Sequence, residues 1–125
     1  MFDQDYGDLS SAITVEVSEL SPDGVLHVSL GGEFDRDVAA PLVAAISTAI
    51  ERDVPKAVRI DASALTFLDS GGIHALLNCQ DAAVRAGASF SIDHAGPNVH
   101  RVLELTGLLV LLNVTQDAPG ASEAR

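Results

Sequence analysis

Basic side chains are scarce in this chain. Seven Lys and Arg stand against 18 Asp and Glu, a formal charge of −11 with histidine neutral. So acidic a polypeptide repels phosphodiester backbones and anionic lipid head groups, which argues against direct binding to nucleic acid or to a membrane surface. Soluble proteins are the expected partners. Cysteine is nearly absent: Cys79 stands alone, so no internal disulfide forms and no zinc-ligand spacing exists, as befits a reducing compartment. Long apolar runs are also missing. A stretch such as Leu108 to Leu112 falls far short of the roughly 18 residues of a membrane span. The acidic start, Met1-Phe2-Asp3-Gln4-Asp5-Tyr6-Gly7-Asp8, has no apolar core of a secretory signal. A cytoplasmic location is expected.

What is present suits one domain. With 125 residues, 47% of them hydrophobic, the chain has the means to bury a core without metal or cross-links. Residues 1–11 read as a flexible acidic lead, 12–115 as the domain and 116–125 as a flexible tail containing Pro119-Gly120. Ile13-Thr14-Val15-Glu16-Val17 alternates as a half-buried strand, and Val25 to Leu30 is a second. The Ser21-Pro22-Asp23-Gly24 turn between them predicts a hairpin. Val38, Leu42, Ala45, Ile46 and Ala49 recur at helical spacing, with a start no earlier than about Asp37 because Pro41 is tolerated only near the first turn. Ala57 to Asp61 is a third strand. A helix opening at Asp69-Ser70 runs to about Arg85, its buried face marked by Ile73, Leu76, Leu77, Ala83 and Val84 and its stop by Gly87. Ser89 to Asp93 is a fourth strand, Pro97 to Thr106 a third helix ended by Gly107, and Leu109 to Val114 a fifth strand. The order β-β-α-β-α-β-α-β predicts a small α/β domain, a mixed sheet with helices packed on it.

The chemistry concentrates where Thr66-Phe67-Leu68 runs into Asp69-Ser70-Gly71-Gly72. A hydroxyl there meets a helix N-terminus, where N–H groups are unpaired and the dipole favours negative charge. Two readings follow: an ordinary N-cap, worth about 1 kcal/mol, or a place to put a phosphate. Two glycines in a first turn each cost about 1 kcal/mol relative to alanine, so the segment favours close approach over helix stability. A nucleophilic serine is disfavoured, because an elbow needs glycine two residues before Ser70 and Leu68 stands there. His74, four residues on, shares a helix face with Ser70, but His27, His74, His94 and His100 have no metal-ligand spacing. Gly31-Gly32-Glu33-Phe34-Asp35 lacks the Gly-Lys-Ser/Thr of a nucleotide loop and reads as a strand-to-helix connection and contact surface, with Phe34 in the core.

Three segments together resemble the STAS domain of bacterial anti-sigma factor antagonists. Gly32-Glu33-Phe34-Asp35 is similar to the family's Gly-Glu-Leu-Asp, Phe67-Leu68-Asp69-Ser70-Gly71-Gly72-Ile73 to its Phe-Met-Asp-Ser-Ser-Gly-Leu, and Leu105-Thr106-Gly107-Leu108 to its Met-Ser-Gly-Leu. The resemblance covers roughly residues 12–115. It implies a non-enzymatic binding module that engages an anti-sigma factor, itself a serine kinase of the GHKL type, and thereby frees a sigma factor. It implies phosphorylation of Ser70 by that kinase, which supplies the ATP and magnesium, and dephosphorylation by a PP2C-type phosphatase; the module itself needs no cofactor and no metal. Asp69 by this resemblance orients the serine, and Glu33, Asp35, Asp69, Gly71, Ile73 and His74 form the partner surface around Ser70. Gly71 stands where many relatives have a second Ser, Thr or Ala, and His74 where they often have Gly. Relatives often end in a further helix, which Pro119-Gly120 argues against here. The alternatives are a STAS subunit scaffolding a transport or stress-sensing complex, with Ser70 only a cap, and a module that binds a small ligand or nucleotide.

Overall fold

A computed structural model describes residues 13–34, 37 and 39–116. The acidic lead, most of the tail with Pro119-Gly120, and Asp35 lie outside the described residues. The elements are β1 (Ile13–Val17), β2 (Val25–Phe34), α1 (Ala39–Asp53), β3 (Ala57–Leu68), α2 (Ser70–Arg85), β4 (Ser89–Ala95), α3 (Pro97–Leu105) and β5 (Val114–Gln116). This is the expected order. The strands form one mixed sheet in the order β1-β2-β3-β4-β5. β1 and β2 are the expected antiparallel hairpin, and β2, β3, β4 and β5 run parallel.

Register sorts the side chains into two faces. Leu26, Val58 and Phe90 lie side by side across β2, β3 and β4, as do Val28, Ile60 and Ile92, and all six are buried. Their outward neighbours His27, Ser29, Arg59, Asp61, Ser91 and Asp93 are polar. All the helices therefore cover one face, and the other stays open to water, with an ion pair between Arg59 and Asp93 at 2.8 Å. Parallel strands are more often covered on both faces; here strict alternation keeps one face wet. The helices contribute Leu42, Ile46, Ala49 and Ile50 from α1, Ala75, Leu76, Cys79 and Ala83 from α2, and Val99 and Leu103 from α3. Burial of each large aliphatic contributes about 1.5–3 kcal/mol.

Four expectations need correction. The second strand does not stop at Leu30: Gly31 to Phe34, expected as a strand-to-helix connection, continue it. The third strand does not stop at Asp61 but continues to Leu68. It takes seven steps from Asp61 to Leu68 while β2 takes five from Ser29 to Phe34, with register shifts after Ser29 and after Gly32. These bulges break the period-two pattern while keeping inward and outward sets aligned. The fifth strand is Val114–Gln116, not Leu109 to Val114. The Leu112 N–H donates to the Leu108 carbonyl and the Asn113 N–H to the Val110 carbonyl, so this apolar segment coils into a turn that buries Leu112 and exposes Val110 and Leu111. Finally, Val84 lies on the solvent side of α2; the buried face is carried by the smaller Ala75, Cys79 and Ala83, which allow the helix to sit close.

Candidate functional site

The site is the junction of β3 and α2, at the C-terminal end of the central strand. Asp69 is the N-cap of α2: its backbone is extended (φ −102°, ψ −172°) and its carboxylate Oδ1 accepts the Gly72 N–H at 2.9 Å. Its carbonyl accepts the Ile73 N–H at 2.9 Å, and its own N–H donates to the Phe34 carbonyl at 3.2 Å, tying the ends of β2 and β3 together. Of the two adjacent cap candidates, Asp69 is the one that caps. Asp69 supplies the cap, and Ser70 is the first helical residue, exposed, its hydroxyl without a hydrogen-bond partner among the described residues. Capping consumes the third-position N–H, and the Ser70 and Gly71 N–H groups have no hydrogen-bond partner among the described residues. They are first-turn donors at the positive end of the helix dipole.

Gly72 has a local reason. A Cβ placed on it would come within 2.6 Å of the Phe34 carbonyl oxygen and 2.7 Å of Leu68 Cδ1. The glycine lets α2 start directly against the end of β2. That close approach is to this chain's own backbone, so only Gly71, half-exposed, remains as the glycine facing outward.

Around Ser70, the structure brings together most of the residues expected there. Glu33 is exposed at the end of β2, cross-strand from Phe67. His74 is exposed one turn beyond Ser70, with no hydrogen bond between the two. Ile73 is half-buried and packs against the core, so it offers an edge rather than a full side chain. Asp35 falls outside the described residues. Phe67 was expected only as part of a motif, yet it is 49% exposed beside Glu33. No local signal marks it: the bulges break the alternation before it, and the pairing of Leu68 with Phe34 is what sets Phe67 on the opposite face. Among the described residues no group of three or more His, Cys, Asp or Glu is placed to hold a metal ion.

Comparison with known proteins bears on this geometry. The family model described as Mlab, STAS domain matches residues 11–113. The chain belongs to the STAS family. As a STAS domain it is 32% identical over 100 residues, 80% of each chain, to the anti-sigma-F factor antagonist RsfB of Mycobacterium tuberculosis. It is 28% identical over 91 residues, 73% of this chain and 78% of the other, to an anti-sigma F factor antagonist of Paenibacillus polymyxa. The crystal structure of an anti-sigma factor antagonist from Mycobacterium paratuberculosis superposes with a TM-score of 0.73 at 32% identity, covering 92% of this chain and 95% of that one. Among the described residues, no helix of this STAS domain is long and apolar enough to cross a membrane.

Proposed function

We propose that this STAS domain is an anti-sigma factor antagonist: unmodified, it binds an anti-sigma factor of the GHKL serine-kinase type in the cytoplasm and so releases a sigma factor, and phosphorylation of Ser70 ends the binding until a PP2C-type phosphatase reverses it. The observation that carries the reading is the exposed Ser70 hydroxyl at the first position of α2, beside two N–H groups with no hydrogen-bond partner among the described residues, and with the capping role filled by Asp69. Relatives named as anti-sigma factor antagonists at 32% identity support it. A phosphate at Ser70 adds about −1.5 to −2 charge at pH 7, and the helix N-terminus receives it without refolding the domain. Asp69 and Glu33 already make this surface acidic, so a partner shaped to the unmodified surface meets new bulk, desolvation cost and negative charge together. A loss of about 3 kcal/mol is more than a hundredfold in affinity.

The test is intact mass before and after incubation with each GHKL-type kinase of the same organism and Mg-ATP, with Ser70→Ala in parallel. One added phosphate that the variant lacks is expected, removable by a PP2C-type phosphatase. Ser70→Ala is expected to bind the kinase yet never be switched off, and Ser70→Asp to bind about a hundredfold more weakly. A folded protein that no candidate kinase phosphorylates would point instead to a scaffolding STAS subunit.

A further inference from the structure

We propose that Phe67 is the apolar anchor of the partner interface, seated in an apolar pocket of the anti-sigma factor whose rim carries Lys or Arg facing Glu33 and Asp69. This rests on the antagonist reading above and names the contact that reading leaves open. Large hydrophobic side chains are exposed at Leu20, Val54, Phe67, Val84, Leu105, Val110 and Leu111. Of these, Phe67 is the one aromatic and the one in a strand. The register explains its direction: Leu68 pairs with Phe34, both buried, so Phe67 and its cross-strand partner Glu33 point to the open face. Further back along the strands that face is polar, from His27 and Ser29 through Arg59 and Asp61 to Ser91 and Asp93, with Ala64 between them and Phe67 at its edge. An exposed aromatic at the edge of a polar face, with Glu33 cross-strand from it, fits the pattern of an interface hot spot, where one desolvated anchor carries binding and its rim excludes water.

Charge selects the partner. Glu33 and Asp69 flank the ring, and the chain as a whole carries −11. Arg59, the described basic residue on this face, is engaged with Asp93 at 2.8 Å. A basic rim on the partner therefore meets in Glu33 a carboxylate with no ion-pair partner among the described residues, which favours encounter and fixes orientation. The position also couples the anchor to the switch. Only Leu68 and Asp69 separate Phe67 from Ser70, so a phosphate at Ser70 brings charge and bound water to the edge of a contact that depends on being dry.

The experiment is calorimetric titration of wild type, Phe67→Ala, Phe67→Leu, Glu33→Gln and Val110→Ala against the purified GHKL-type anti-sigma kinases with Mg-ADP, alongside thermal melts. Val110 is more exposed than Phe67 but precedes β5, at the opposite end of the parallel strands, and serves as the control. Phe67→Ala is expected to weaken binding on the order of 30-fold with an unchanged melt, Phe67→Leu to recover part of it, and Glu33→Gln to flatten the salt dependence. Val110→Ala is expected to bind as wild type. Wild-type binding with Phe67→Ala within threefold of it, on the order of experimental scatter, overturns the anchor and leaves the antagonist reading standing. Failure of wild type to bind any candidate overturns both.

Discussion

At the scale of single residues, Gly72 shows how one position serves both packing and site. Replacing a helical glycine by alanine ordinarily gains about 1 kcal/mol. Here the added methyl would lie 2.6 Å from a backbone carbonyl, that of Phe34, and 2.7 Å from Leu68 Cδ1. The leucine tip has room to turn, but the carbonyl belongs to the end of β2 and is already accepting the Asp69 N–H. Overpacking of this kind costs about 1–3 kcal/mol and outweighs the propensity gain. Gly72→Ala is expected to lower stability by about 1–2 kcal/mol in urea denaturation, and to slow phosphorylation of Ser70 because the start of α2 must move. A stabilised variant would mean that the helix start tolerates displacement and that Gly72 is there for access alone. Asp69 carries a second residue-scale lesson. The sequence placed two favoured caps side by side and could not choose between them; the hydrogen bond to the Gly72 N–H chose Asp69.

At the scale of elements, the end of α1 departs from the usual chemistry. Val54 follows the last helical residue with φ 48° and donates its N–H to the Ile50 carbonyl at 2.9 Å. That is the left-handed closing position at which glycine is the common occupant. A β-branched side chain there costs about 1–2 kcal/mol, and Val54 recovers little of it by burial, being 69% exposed. Glycine gives back part of the gain through the entropy of the unfolded chain. Val54→Gly is expected to stabilise by about 0.5–1 kcal/mol and raise Tm by roughly 2–5 °C in a calorimetric scan. Partner binding should be unchanged, because α1 ends at the start of β3, away from Ser70. An unaltered or lowered Tm would show that Val54 makes contacts that offset its conformation.

At the scale of the whole molecule, Cys79 reports on cooperativity. It is completely buried in the shared core, and burial pushes its thiol up from 9.0 to about 12. The thiolate is the reactive form, so the native protein is expected to leave Cys79 unmodified by a disulfide reagent at pH 8 and to release one equivalent of product only along the global unfolding curve. Rapid stoichiometric reaction without denaturant would reveal local opening of α2 instead. The sign of the pH effect follows from the same shift. The native thiol holds its proton to a higher pH than the unfolded one, so its contribution is complete below 9.0 and declines as pH rises toward 12. Alkaline unfolding should set in earlier for wild type than for Cys79→Ala once each is referred to its own stability at pH 7.

Sequence alone determined the hairpin, the order of strands and helices, the helix beginning at Asp69-Ser70 and its stop at Gly87, because each follows from local turn chemistry or from an unbroken apolar period. It also determined that Ser70 stands at a helix start beside acidic groups, since caps and glycines act within a few residues of themselves. Only the tertiary structure decided the rest. The bulges that carry β3 on to Leu68 arise from pairing with β2 and erase the local alternation. The coil of residues 108–113 is apolar like a strand but closed by its own backbone bonds. The identity of the capping residue, the Gly72 approach to Phe34 and the outward turn of Phe67 all depend on where the end of β2 lies, a partner more than 30 residues distant in the chain whose position no local pattern encodes.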